Sequence, residues 1–419
     1  MEEEQKLQEY IQILDKKVYK QDFQNNYQYI LPHEHLFQII PTENKEFLYS
    51  TLTIQNIKTI SKNPDNCLEN LNISDTILQD NELKQFSKNI KLDENKKMLI
   101  IESTNNINGQ SLQKLQQLQQ SNQNLIDIVF GYTYVVDKNS LYQNEEKNLI
   151  MHSVENIIQS IKYQFQYGTE NGLKPSFIGE ICLNQIDLND NVLQNMVCGY
   201  LQVSNQYNTP VYFNLQYNYQ NYDKISQLLK QCGQQNYNNK VYILWNPYIN
   251  FQFEKSANYN GEVQITKIST QLKEIKNLLD KGYKIGIDTV RYSDQQQELG
   301  YFLKQLLLIN QDYCKQILIS TGINYKSDLT LYGGNGISDC FYFKNILQEL
   351  QVNEIQLKDM FYTNFQELFF WAKEKIKVEK VEMFKCNICK KEFEEGKIDK
   401  FKKFGKEFCS MKCLKAFLK

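Results

Sequence analysis

Histidine is scarce in this chain: His33, His35 and His152 are the only three among 419 residues. A site built on imidazole is therefore small. Long apolar runs are missing too. No stretch of about 18 apolar residues occurs, which predicts no membrane span. An excess of either charge is also lacking. With a formal charge of −2 and a pI near 6.1, the chain as a whole makes no case for a nucleic-acid or membrane partner. The opening MEEEQKLQEY is acidic and polar, unlike a secretory signal or an Arg-rich transit peptide. Cytoplasmic residence is the expectation.

A packed core is feasible, since 41% of residues are hydrophobic and 13% aromatic. The length suits one large domain with a small one added. The many Asn, Gln and Lys residues at polar positions read as coding bias rather than as a prion-like composition. Cys67, Cys182, Cys198, Cys232, Cys314 and Cys340 stand singly, which suits buried free thiols in a reducing compartment.

Short apolar, β-branched runs alternate with longer helical stretches. Candidate strands are Tyr29–Leu31, Met98–Glu102, Ile126–Tyr132, Phe177–Ile181, Val211–Leu215, Val241–Trp245, Lys284–Asp288 and Gln316–Ser320. Eight such runs predict an α/β fold, a (β/α)8 TIM barrel rather than an open sheet. Thr51–Lys97 reads as a mostly helical insertion after strand one. Leu112, Leu115 and Leu118 mark a helix inside the Gln-rich run 110–124. Residues 1–28 form an N-terminal extension, 29–371 the barrel, 372–383 a charged linker or helix, and 384–419 a cysteine-bearing tail.

Barrels of this type place their chemistry at the C-terminal strand ends. The first strand ends in Leu31-Pro32-His33-Glu34-His35, and side chains alternate along a strand, so both imidazoles share one face. Glu180 ends the fourth strand, Glu102 the second and Asp288 the seventh. His152, within the helical stretch 148–161, reads as an ordinary histidine. Tyr332-Gly333-Gly334-Asn335-Gly336 lacks the Lys-Ser/Thr ending of a phosphate loop and reads as a loop flanking the pocket.

With these residues in order, the chain resembles the phosphotriesterase-related family of the amidohydrolase superfamily. The likeness rests on the His-Glu-His run, Gly131-Tyr132-Thr133-Tyr134, Ile178-Gly179-Glu180-Ile181, Thr209-Pro210-Val211, the stretch from Ser320 to Gly336, and the closing Thr363 to Leu368. It implies a metal-dependent hydrolase barrel with a binuclear, zinc-type centre that activates a bridging hydroxide. Four histidines and two carboxylates would hold that centre. Of these, the resemblance carries over His33, His35 and the bridging Glu180. The strand-five and strand-six histidine positions hold Asn214 and Asn246, and the strand-eight aspartate position holds Gly322. Asp328 lies too far beyond the strand end to replace it. No histidine follows His152, so the binuclear centre is incomplete in any register.

Cys386-x2-Cys389, nineteen residues, then Cys409-x3-Cys413 is a four-thiolate zinc pattern. It resembles treble-clef fingers of the TRASH and YHS type. A segment this small has no core of its own, so a structural zinc ion would supply its folding energy. Residues 372–419 carry 15 lysines against 8 acidic residues, a net +7. Four thiolates on one zinc reduce this to about +5. An acidic protein surface suits that charge better than nucleic acid, since the aromatic residues are the core-type Phe393, Phe401, Phe404 and Phe408.

The expectation is a pseudoenzyme: a catalytically degenerate barrel used as a binding or scaffolding module. Its partners would be proteins, reached through the finger and the barrel surface, with a small-molecule ligand held in the polar mouth. The alternative is a single-zinc hydrolase of small esters or N-acyl amides, with His33, His35 and Glu180 as ligands and Asp288 or Glu102 as base.

Overall fold

The computed structural model describes residues 5–40, 42, 46–105, 108–134, 153–169, 172–182, 191–214, 227, 230–231, 240–245, 255–257, 263–265, 270–370, 372–377, 383–394, 401–403 and 406–417. They fall into two compact units, Glu9–Ala372 and the set Met1–Gln8 with Lys373–Lys419.

The larger unit is built on eight parallel strands: β1 (Tyr27–Glu34), β2 (Lys97–Glu102), β3 (Ile126–Tyr132), β4 (Phe177–Cys182), β5 (Val211–Asn214), β6 (Val241–Leu244), β7 (Lys284–Asp288) and β8 (Ile317–Ser320). Their order in the sheet follows the chain, and the sheet curls into a nearly closed (β/α)8 barrel. The runs read as strands are strands. The largest change is in the first, which starts at Tyr27 and continues through Pro32 to Glu34. Its Pro and Gln residues hide it from a search for unbroken β-branched runs.

Alternation along each strand sorts the core into two layers. Met98 and Ile100 of β2 face the outer ring of helices, while Leu99 and Ile101 face the barrel interior. The interior floor is closed by residues outside the strands. Ile11, Ile13, Val18 and Phe23 from the N-terminal stretch join Phe365, Leu368 and Phe369 from the closing helix. These N-terminal side chains thus belong to the core of the unit, which spans Glu9–Ala372.

Among the described residues no ladder joins β8 to β1, and a side chain does that work. His33 N–H donates to Ser320 Oγ at 3.0 Å, and Ser320 Oγ donates to Glu34 Oε1 at 2.7 Å. The Glu34 carboxylate also accepts from the backbone N–H groups of Thr321, Gly322 and Ile323, at 2.8 to 3.2 Å.

After β1 the chain makes short helical turns and then α1 (Thr76–Asn89), capped by Asp75. Glu82 of α1 accepts from Thr330 N and Oγ1 and from Ile337 N. Glu82 thereby fills the Gly-rich loop, and Gly333 and Gly334 donate to Thr330 and Leu329 carbonyls. These amides are already engaged within the protein. The Gln-rich run forms α2 (Leu112–Ser121), with Leu115 and Leu118 buried.

Ala372–Lys377, starting on the last residue of the larger unit, is a strand, where a linker or helix was expected. Two short hairpins follow, Met383–Lys385 with Glu392–Glu394 and Phe401–Lys403 with Lys406–Phe408, and then the helix Met411–Phe417. No helix among the described residues is long and apolar enough to cross a membrane.

Candidate functional site

His33, at the end of β1, and His35, just beyond it, have their rings 4.9 Å apart and perpendicular. Both are buried. The His33 ring is hydrogen-bonded at both nitrogens, the His35 ring at Nδ1. His33 Nε2 lies 2.8 Å from Glu180 Oε2, and its Nδ1 lies 3.1 Å from Asp288 Oδ1. His35 Nε2 lies 3.4 Å from the same Glu180 oxygen, and its Nδ1 lies 3.2 Å from Thr104 Oγ1. The Nε2 atoms thus converge on one carboxylate oxygen, and the Nδ1 atoms are tethered behind. One ligand atom from each of His33, His35 and Glu180 lies within 4.8 Å of the others.

The second oxygen of Glu180 accepts from the Asn214 amide and from the Cys182 thiol, the latter at 3.4 Å. Thr133 Oγ1 and the Asn105 amide reach the Glu180 carbonyl. Glu102, one of the two candidate bases, accepts from Leu36 N at 2.6 Å and Thr104 N at 3.2 Å. It holds the loop after β1 and does not face the histidines' meeting point. Asp288, the other, is turned onto His33. Asp328 caps its own turn by accepting from Asn324 and Tyr325 N–H. Asn246 and His152 lie outside the described residues.

Charge follows this geometry. Burial disfavours the His33 imidazolium, but the Asp288 and Glu180 carboxylates outweigh it and raise the ring to about 10. Burial works against the Glu180 anion as well, yet His33, His35 and the Asn214 amide bring it down to about 2. Burial dominates at Glu34 and Glu102, which are each pushed up to about 7 despite their N–H donors.

A two-metal centre does not fit these residues. Asn214 gives its amide to Glu180, and Gly322 has no side chain, so each of the two ions lacks a donor. A single ion does fit the donor set of two imidazoles and one carboxylate. Asp288 and Thr104 would then orient the two rings from behind.

Beneath the site a stack of aromatic rings fills the barrel. Tyr212 and Tyr242 lie 4.0 Å apart and nearly parallel, and Tyr242 lies 6.2 Å below His33. Gly286 makes this possible, because a Cβ there would sit 1.7 Å from the Tyr242 hydroxyl. Residue patterns had not revealed Thr104, Cys182, Glu34 or this stack. For Glu34 a signal existed: lying between two histidines of one face, it must point the other way, towards the neighbouring strand.

In the smaller unit the four cysteines gather with their sulfurs within 4.8 Å of one another. Cys389 to Cys409 is 3.6 Å and Cys409 to Cys413 is 3.7 Å. A tetrahedron with arms of about 2.3 Å has edges of about 3.8 Å, so the spacing fits one thiolate-bound ion. The backbone prepares it. Lys390, in a left-handed turn with φ +61°, donates to the Cys386 carbonyl, and Cys386 N–H donates to Lys391. Ser410 caps the helix that carries Cys413. Burial opposes ionisation of Cys386, but N–H groups of Cys389, Cys409 and Ile388 point to it and hold the thiol at about 6. Phe408 is buried and packs on Phe417; the side chains of Phe393, Phe401 and Phe404 lie outside the described residues.

Among the solitary cysteines, Cys67, Cys314 and Cys340 are buried free thiols and Cys182 is a half-buried one. Cys198 departs from the expectation, since it is disulfide-bonded. Chain spacing does not reveal which sulfurs meet in space. Cys232 lies outside the described residues.

No protein-family model matches this sequence, and no curated protein matches it. Solved structures do. A resiniferatoxin-binding protein from Rhodobacter sphaeroides aligns over 86% of this chain and 94% of its own, with TM-score 0.65 and 17% identity. The phosphotriesterase homology protein from Escherichia coli, complexed with phosphate in its active site, aligns over 81% and 98%, with TM-score 0.58 and 16% identity. A lactonase from Listeria monocytogenes aligns over 87% and 99%, with TM-score 0.58 and 12% identity. At such identities the likeness shows the fold, a (β/α)8 barrel.

Proposed function

We propose that this chain is a catalytically degenerate amidohydrolase-fold protein that serves as a binding or scaffolding module, with one structural zinc ion in its cysteine cluster. The observation that carries this reading is the state of the barrel mouth. Positions that would hold the two ions are spent: the strand-five Asn214 amide is on Glu180, and Gly322, at the strand-eight position beside the histidine pair, offers nothing. Two-metal activation of water requires those donors. A general base must also reach the water. Glu102 is engaged by backbone N–H groups and Asp288 by His33. The polar mouth is suited to holding a ligand rather than to cleaving one.

Zinc in the tail is supported by the four-sulfur geometry. The net +7 of residues 372–419 favours an acidic protein surface as the partner. The free thiols Cys67, Cys314 and Cys340 support a cytoplasmic, reducing setting, and the Cys198 bond pulls the other way.

One observation favours a second reading. The convergence of His33, His35 and Glu180, with each Nδ1 tethered, supports a single-zinc hydrolase of small esters or N-acyl amides. Metal content per chain separates the two. The scaffold reading expects one zinc in the wild type and none in Cys386→Ser/Cys409→Ser. A residual equivalent in that variant, lost on adding His33→Ala, would overturn it in favour of the hydrolase.

A further inference from the structure

Gly322 follows β8 with φ +72°, and a Cβ built on it would lie 2.1 Å from Asp288 Cγ and 2.4 Å from Asp288 Oδ2. Any side chain at 322 would therefore occupy the room that the Asp288 carboxyl fills. The backbone there has little freedom to move aside. Gly322 N–H donates to both oxygens of Glu34, and its neighbours Thr321 and Ile323 donate to the same carboxylate. The conflict falls on the Asp288 side chain.

From that room Asp288 Oδ1 reaches His33 Nδ1 at 3.1 Å. A carboxylate oxygen only accepts, so the contact requires a hydrogen on Nδ1 and fixes the ring's direction. With Nδ1 turned back, Nε2 points to Glu180. The backbone N–H of His33 is itself tied to Ser320, so both ends of this link rest on the β8–β1 seam.

We propose that Asp288 is the positioning residue of the His33–His35–Glu180 group, seated by the absence of a side chain at Gly322. Strand seven thus supplies, from behind His33, the carboxylate that strand eight does not. The inference deepens the reading of the barrel mouth as an altered site, and it holds whether or not an ion binds there. A ring held in this way presents Nε2 in one fixed direction. That is what a bound cation, or a ligand accepting a hydrogen bond, would need of it.

The scarcity of histidine makes the test readable. An imidazole ¹⁵N–¹H correlation spectrum of the full-length protein contains the signals of three rings. The unaltered protein is expected to show a slowly exchanging Nδ1–H for His33. Asp288→Ala removes it and leaves the His35 resonances in place. Asp288→Asn, which keeps an acceptor oxygen, restores it. Gly322→Ala reproduces the Asp288→Ala spectrum with Asp288 still present.

Absence of the signal from the unaltered protein overturns the proposal, as does its survival in Asp288→Ala or Gly322→Ala. Loss of the His33 and His35 signals together, with a lowered unfolding temperature, would mean that the whole mouth opens, and this also overturns a specific positioning role. Metal content tests the functional reading and this spectrum tests the role of Asp288, so the two can fail separately.

Discussion

At the scale of single residues, the barrel interior contains its own control experiment. Tyr212 and Tyr242 are stacked, equally buried neighbours, but their hydroxyls differ. Tyr212 donates to the Pro32 carbonyl at 3.0 Å, whereas the Tyr242 hydroxyl has no hydrogen-bond partner among the described residues. Removing a made bond costs about 1 kcal/mol, and removing a buried hydroxyl without a partner costs little or is favourable. Tyr212→Phe is therefore expected to lower stability in denaturant unfolding, and Tyr242→Phe to leave it equal or higher. Protonation gives a second prediction. Glu34 and Glu102, raised from 4.5 to about 7, contribute stability that is full below 4.5 and is lost as pH rises through about 7. The His33 contribution is full below 6.5 and is lost through about 10, while the Glu180 contribution is present above 4.5 and is lost as pH falls through about 2. Above about 8 the sense changes in part, because burial lowers Lys240 to about 8, so the folded protein sheds a proton that the unfolded chain keeps. The unfolding temperature should thus fall between about pH 5 and pH 8. Glu34→Gln and Glu102→Gln should flatten that slope, and a temperature that rises across the window would contradict the assignment.

At the scale of elements, the barrel is closed by Glu34 rather than by a ladder. Glu34→Ala leaves the N–H groups of Thr321, Gly322 and Ile323 and the Ser320 hydroxyl facing a gap. Each buried donor so stranded costs about 1–3 kcal/mol, so a loss of about 3 kcal/mol or more is expected, measured by denaturant unfolding. A loss below about 1 kcal/mol would show that β8 and β1 hold together without this carboxylate. The contrast between strands and seam explains what the sequence makes legible. Strands β2 to β8 announce themselves because parallel, doubly covered strands are continuous apolar runs. The His-Glu-His pair is legible because period two places both rings on one face. The partners of His33 are not, since Glu180 and Asp288 lie 147 and 255 positions away and meet it only when the barrel curls. Phe23 and Tyr27 are similarly hidden: each is a single aromatic among Gln and Asn, and the floor they fill exists only in three dimensions.

At the scale of the molecule, the chain joins two units whose stabilities have different origins. Glu9–Ala372 has two layers of buried apolar side chains. Among the described side chains of the tail, few are buried, Cys386 and Phe408 at 0% exposure. Four thiolates close together repel one another once ionised, and a cation relieves this while crosslinking the knuckle to the helix of Cys413. For so small a segment the binding free energy of the ion is largely its folding free energy. Withdrawing the ion should therefore unfold one unit and spare the other. Limited proteolysis of the full chain with a strong chelator, read by mass spectrometry, is expected to cut within 373–419 and to leave Glu9–Ala372 intact, with the main thermal transition unmoved. Cys386→Ser/Cys409→Ser should give the same digestion pattern without chelator. If chelation instead lowers the main transition in that variant as well, the barrel itself depends on a metal ion, and His33, His35 and Glu180 are the group that would hold it.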